Sequence, residues 1–293
     1  MFTKNFTCKS LLILFIISVS TAVFSQEWFN TYNGQSDSDD KGYGIVVDSD
    51  GNIITSGYAT NDTSGIDITL LKYSNSGTFI WRTVYKGTGY NTDKPLGIIV
   101  DNSNNIYVCG FTTKNNGNID LLTIKYNSAG IQQWAKTYNG SGNGEDKAWG
   151  IVVDNNGNCY VTGVCMSSGA GNDFVTIKYN TNGTAVWTKT YDAPSHKDDA
   201  ARNIALDATG NVYVSGYGEY NPADNDMIIL KYNSGGVIQW VKNFNGITGG
   251  NDEAWGIVVD ATNNIYVTGE SDGQSGTKDI SIIKYNSSGA LLW

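Results

Sequence analysis

Residues Asp146–Gly163 read DKAWGIVVDNNGNCYVTG. An apolar, β-branched run, Ile151-Val152-Val153, ends at Asp154, and a second run, Cys159-Tyr160-Val161-Thr162, begins five residues later. Between them Asn155-Asn156-Gly157-Asn158 supplies residues that turn tightly and tolerate left-handed backbone, so the stretch is a β-hairpin. The same text recurs along the chain. Tryptophans stand at Trp28, Trp81, Trp134, Trp187, Trp240 and Trp293, a constant step of 53 residues. In the same phase lie Gly57, Gly110, Gly163, Gly216 and Gly269, the aspartates from Asp48 to Asp260, and the Lys-Tyr pairs ending at Tyr73, Tyr126, Tyr179, Tyr232 and Tyr285. A fixed period of this length marks a repeat architecture, and recurrence within one chain says what each unit needs.

The units run over about 29–81, 82–134, 135–187, 188–240 and 241–293. Each reads as four short strands; in the second unit these are Leu96–Asp101, Asn105–Phe111, Leu121–Tyr126 and Ile131–Tyr138. No helical period appears. The first three strands are apolar on both sides, so each sheet needs neighbours on both faces. Radial stacking supplies them, and the expected fold is an all-β propeller of four-stranded antiparallel blades with five repeats present. A β-solenoid is the alternative, disfavoured because its coils are shorter. Trp28 and Trp293 share one repeat position. Glu27–Gly34 reads as an outermost strand able to close a five-bladed ring; a fragment of a larger propeller is the reading favoured over that closure.

The third unit, Asp146-Lys147-Ala148-Trp149-Gly150-Ile151-Val152-Val153-Asp154 followed by Gly157-Asn158-Cys159-Tyr160-Val161-Thr162-Gly163, resembles the bacterial SBBP repeat, whose name stands for seven-bladed β-propeller. The resemblance extends over essentially all of residues 26–293. It implies secreted or cell-surface proteins of this fold, with no general catalytic activity and no assigned site. The fourth unit departs most, with Ala200, Arg202 and Asn203 where other units have Lys or Glu, an aromatic or Leu, and Gly.

Residues 1–25 read as a secretory signal peptide. Lys4 and Lys9 precede an apolar run from Leu11, and Val23-Phe24-Ser25 suits cleavage before Gln26. The run is too short for a stable membrane span. Secretion or cell-surface display follows as the expectation, with no membrane span after cleavage. Beyond the signal lie Cys109, Cys159 and Cys165, an odd number that gives no disulfide framework; burial as small hydrophobes is expected. A net charge of −9 argues against nucleic acid, which requires clustered cations.

In a propeller the loops joining the second strand to the third, and one blade to the next, surround the channel mouth, and function is expected on that face. Asp40, Asp93, Asp146, Asp199 and Asp252 precede the innermost strands, and three residues later come Tyr43, Leu96, Trp149, Arg202 and Trp255. As a site they form a polar and aromatic ring suited to stacking on a sugar or holding a cation. As plain structure, each Asp caps backbone N–H groups in its turn while the large residue packs on a neighbouring blade. Because every unit repeats the feature, the structural reading weighs more.

Asp48-x-Asp50-Gly51-Asn52 faintly resembles a calcium loop, but its counterparts lose the second carboxylate and a hairpin turn explains all five. No cofactor is expected. His196 is the single histidine, which removes Ser-His-Asp triads and histidine-rich metal sites. The expected function is a non-catalytic scaffold binding a protein or polysaccharide partner through one loop face. A carbohydrate-active enzyme, glycosidase or lyase, is the alternative, and an asymmetric acidic cleft would favour it. A third reading makes the blades a spacer within a longer adhesin.

Overall fold

The computed structural model describes residues 28–62, 65–88, 91–169, 171–221, 224–246, 249–273 and 276–293. The expected signal peptide lies outside the described residues. All the described regular structure is β, and no helix is long and apolar enough to cross a membrane.

Blade 1 comprises β1 (Lys41–Val47), β2 (Ile53–Asn61), β3 (Gly65–Tyr73) and β4 (Phe79–Tyr85). Blade 2 is built from β5 (Asn91–Val100), β6 (Ile106–Thr113), β7 (Ile119–Tyr126) and β8 (Gln132–Tyr138). Blade 3 has β9 (Lys147–Val153), β10 (Cys159–Met166), β11 (Asn172–Tyr179) and β12 (Ala185–Tyr191). Blade 4 has β13 (Ala200–Leu206), β14 (Val212–Asn221), β15 (Asp224–Tyr232) and β16 (Ile238–Phe244). Blade 5 has β17 (Glu253–Val259), β18 (Ile265–Asp272) and β19 (Lys278–Tyr285), with the start of a fourth strand marked by a bridge between Tyr285 and Leu291.

Each blade is an antiparallel meander. A two-residue parallel bridge, Gly65 with Asn91 and Ile66 with Thr92, joins blades 1 and 2 into one hydrogen-bonded sheet. Similar ties recur at later junctions, where Asp146, Asp199 and Asp252 donate their backbone N–H to Ile119, Asn172 and Asn225 of the preceding blade. β2 extends to Asn61 and β3 starts at Gly65, so the connection between them is short. Residues 28–34 join no ladder, in contrast to the outermost strand read there. The sheets do not close into a ring: Ile45 of β1 and Ile280 of β19 are 67% and 87% exposed.

Blades pack face to face. Tyr107, Cys109 and Leu121 of blade 2 form one core cluster with Val161, Val175 and Ile177 of blade 3. Two devices repeat at every junction. Trp81, Trp134, Trp187 and Trp240 donate their indole N–H to the carbonyls of Ser128, Thr181, Ser234 and Ser287 in the next blade, at 3.1–3.3 Å. Lys72, Lys125, Lys178 and Lys231 reach those same carbonyls at 2.8–3.5 Å. Glycines 77, 130, 183, 236 and 289 receive the tryptophans; at Gly183 a Cβ would lie 2.7 Å from the Trp134 ring, and its φ of +76° is one that glycine adopts without strain. Trp28 sits on Gly77 and donates to Asn75 O at 3.2 Å, so it fills on blade 1 the place that a preceding blade's tryptophan fills elsewhere.

Cys109, Cys159 and Cys165 are free and buried within blades 2 and 3, as their small apolar character leads one to expect.

Candidate functional site

The innermost strand of every blade carries one extra residue. Register shifts fall between Gly42 and Gly44 in β1, Pro95 and Gly97 in β5, Ala201 and Asn203 in β13, and Ala254 and Gly256 in β17. In β9 the partners jump from Ala148 to Gly150. The residues passed over are Tyr43, Leu96, Arg202, Trp255 and Trp149, the five members of the ring read from sequence. A bulge leaves its extra residue unpaired and re-aims its side chain.

The bulge also explains the glycine column, whose period was legible in sequence while its cause was not. Gly57, Gly110, Gly163, Gly216 and Gly269 lie opposite the bulges, where a Cβ would fall 1.9–2.3 Å from the carbonyl oxygens of Lys41, Lys94, Lys147, Ala200 and Glu253. Only a residue without a side chain permits that approach.

Three of the five bulge residues come together. The Arg202 guanidinium lies 4.5 Å from the centre of the Trp149 ring and 4.7 Å from that of Trp255, with Tyr217 at 5.0 Å, and it donates to the Tyr217 hydroxyl at 3.1 Å. A cation between two indole faces across blades 3, 4 and 5 is a stable arrangement when partly desolvated. Arg202 Nε is buried without a hydrogen-bond partner. Trp255 remains 49% exposed. Tyr43 does not join this cluster and packs instead on Tyr58 at 5.9 Å; Leu96 is half-buried in β5. A cleft of ≈ 200 Å³ opens beside Trp149, lined also by Lys147, Asn172, Asp198, Asp199 and Tyr217.

Asp40, Asp146, Asp199 and Asp252 lie in the turns that lead into the innermost strands, as read from sequence; Asp93 does not precede its strand but lies within it, because β5 starts early, at Asn91, and pairs Asp93 with Thr112. Asp40, Asp93, Asp146, Asp199 and Asp252 accept the backbone N–H of Gly34, Gly87, Gly140, Ala193 and Gly246. Asp40 and Asp146 also accept from Thr60 and Met166, which ties the blade-to-blade loop to the end of the second strand. Burial pushes the carboxyls of Asp93 and Asp146 up, and carries Asp199 to about 7, where Asp192 and Asp173 add their repulsion.

Asp173, Asp192 and Asp199 each offer a carboxylate oxygen within 4.8 Å of the others. Asp192 is peculiar to the fourth unit, since the equivalent positions hold Asn33, Lys86, Asn139 and Asn245. His196, exposed, pairs with it at 2.5 Å. Asp173 belongs to a column with Asp67, Asp120, Asp226 and Asp279 that recurs at the 53-residue step. Lys147, Asp173, Asp192 and Tyr217 were not among the sequence candidates; the break in the repeat at Asp192 is the signal that could have drawn attention there.

A larger cleft, ≈ 460 Å³, lies on the opposite face between the turns after β9 and β13, a face the sequence reading set aside. Its carboxylates are engaged. Asp154 accepts from Asn156 N, Asn158 N, Asn158 Nδ2 and the Tyr160 hydroxyl, and although burial works to raise it, these bonds hold it below the usual carboxylate range. The Asp48 turn is similarly spent on Asn52, Asp50 N and the ion pair to Lys72 at 2.7 Å.

No family model matches the chain, and no curated protein matches it. Solved structures do. An ulvan lyase, a polysaccharide lyase bound to -[GlcA(1-4)Rha3S]-, aligns over 85% of this chain and 72% of its own with a TM-score of 0.51 at 14% identity. A Dyadobacter fermentans protein of unknown function aligns over 85% of this chain and 80% of its own, with a TM-score of 0.50 at 10% identity. The fold is propeller-like. At such identities the likeness is one of fold alone.

Proposed function

We propose that the chain is a secreted or cell-surface member of the SBBP-type repeat proteins, built of propeller blades. It acts as a non-catalytic scaffold that binds a polysaccharide through the face carrying Trp149, Arg202 and Trp255. The observation that supports this reading is the Arg202 guanidinium held between two indoles, with the outer indole half-exposed beside a polar cleft. A rigid aromatic and cationic platform offers a sugar ring a stacking surface and its oxygens a donor, at little cost in side-chain entropy. The fourth unit's departure from the repeat is what builds it, and symmetry-breaking residues at a channel mouth are where recognition chemistry belongs.

A glycan array probed with the chain and with Trp255→Ala tests this. The reading requires saturable binding to a polysaccharide class that weakens at least tenfold in the variant. Absence of binding by the folded chain would overturn it and direct the search to protein partners.

The enzyme reading has one observation in its favour, the crowded carboxyls at Asp173, Asp192 and Asp199 with Asp199 titrating near neutrality. Asp199 borders the cleft beside Trp149, but its side chain is fully buried and already accepts the Ala193 N–H, which weighs against it as a general acid. Release of reducing ends or unsaturated products from the polysaccharide selected on the array, abolished by Asp199→Asn, would establish the enzyme instead.

A further inference from the structure

Arg202 is the one bulge residue that carries a charge; its counterparts are Tyr43, Leu96, Trp149 and Trp255. That charge has no counter-ion. Among the described residues no carboxylate forms an ion pair with Arg202, whereas Lys72, Lys114, Lys147, Lys197 and Lys278 each have one. Glu253, at the start of β17, feels the guanidinium's pull against the burial that raises its carboxyl, yet the two make no ion pair.

A guanidinium offers its faces to aromatic rings and its five N–H donors in its own plane, so stacking leaves the edge open. Here the faces lie against Trp149 and Trp255, and the edge is little used. Nη2 donates once, to the Tyr217 hydroxyl at 3.1 Å. Nε is buried, while Nη1 has no hydrogen bond and is not buried. Nη1 and the second N–H of Nη2 therefore form a free fork that can donate two parallel bonds, the pattern that a carboxylate accepts.

The acids beside the platform are already engaged. Glu145 holds Lys147 at 2.5 Å, Asp198 accepts from Asn172 N and Nδ2 at 2.9 and 3.0 Å, and Asp199 is buried on the Ala193 N–H. Lys147 is thus neutralised, and its ammonium lies over the Phe111 ring at 5.4 Å. The net charge of −9 repels a polyanion at a distance. In 0.15 M salt that repulsion is screened beyond about 8 Å, so contact with the fork decides.

We infer that the platform selects polysaccharides built from uronic acids: a sugar ring stacks on the half-exposed Trp255 indole while its carboxylate accepts two hydrogen bonds from the Arg202 fork. The inference rests on the polysaccharide reading above and narrows it to one ligand class. A carboxylate is planar, as the fork is, and answers its charge; the hydroxyls of a neutral sugar do neither. Arg202 is then the specificity-determining residue and Trp255 the stacking surface.

A binding titration in 0.15 M salt tests this with polygalacturonate, alginate and hyaluronan, each set beside its carboxyl-reduced form, from which only the carboxylate has been removed. The wild-type chain should bind at least one of the acidic polymers about tenfold or more tightly than its reduced partner. Arg202→Lys, which keeps the charge and loses the fork, should forfeit most of that preference, with near-UV circular dichroism checking that the aromatic cluster persists. Equal affinity within every pair, binding confined to neutral or sulfated glycans, or a preference that survives in Arg202→Lys would overturn the inference and leave the polysaccharide reading standing. The comparison within each pair uses the unaltered chain, so it decides even where the variant does not fold. Absence of binding to every glycan, neutral or acidic, would overturn both.

Discussion

At Gly163 a Cβ would fall 1.9 Å from the carbonyl oxygen of Lys147, and this approach exists because β9 bulges at Trp149. One glycine thus links the sheet to the aromatic cluster: without it the bulge cannot close, and without the bulge Trp149 is not directed toward Arg202. Gly163→Ala is expected to cost more than about 3 kcal/mol, since the obstacle is backbone and cannot rotate away. Gly169→Ala, in a loop position where a Cβ meets nothing within 4 Å, is the control and should cost less than about 0.5 kcal/mol. Urea unfolding of both variants gives the comparison.

The tryptophan column should prove unequal in energy. Trp187, 9% exposed, stacks on Tyr232 of the next blade at 6.0 Å and donates to Ser234 O. Its replacement by Ala removes packing on both sides of a junction and should cost about 3–5 kcal/mol. Trp28 makes the same hydrogen bond but is 37% exposed and belongs to no strand, so Trp28→Ala should cost about 1 kcal/mol or less. Equal losses in thermal or chemical unfolding would mean that the junctions are not held as described.

Stability should fall as pH rises from 5 to 8. Burial raises the carboxyls of Asp93, Asp146, Asp173, Asp199 and Asp226, with Asp199 reaching about 7. For a raised carboxyl the folded state binds the proton more tightly than the unfolded state. Its stabilisation is complete below the unfolded pKa, near 4, and is lost as pH climbs through the folded value. Asp154 and Asp207, held low by their turn amides, act oppositely and lose their contribution only as pH falls below about 4. The melting temperature should therefore be higher at pH 5 than at pH 8, and Asp199→Asn should flatten that slope. An unchanged slope in the variant would place the effect elsewhere.

Much of this was legible in the sequence. The constant 53-residue step fixes the number and order of strands because each blade repeats one solution to burying two apolar faces. What the tryptophans do was not legible, since each acts on the blade 47 residues ahead and not on its own. The same holds for the ring. Its five positions were visible, but that they are bulge residues depends on strand register, and which of them meet depends on the angle between blades. Arg202 reads as a blemish in the fourth unit until Trp149 and Trp255 are seen on either side of it.

The three cysteines should be silent to thiol reagents. Burial pushes the Cys109 and Cys165 thiols up to about 12, and Cys159 is raised as well, so almost no thiolate exists at neutral pH. The native chain, produced from Gln26, should take up no maleimide over hours and three equivalents per chain once unfolded in guanidinium. Rapid labelling of the native chain would show that the junction between blades 2 and 3 opens.

The measurement that bears most directly on the function is hydrogen–deuterium exchange of the chain with and without the polysaccharide selected on the array. Binding at the bulge-built platform predicts slowed exchange in peptides covering 145–149, 198–203 and 253–255, with the opposite-face turns at 154–158 and 207–211 unchanged. Protection confined to those turns, or spread evenly over all five blades, would contradict it.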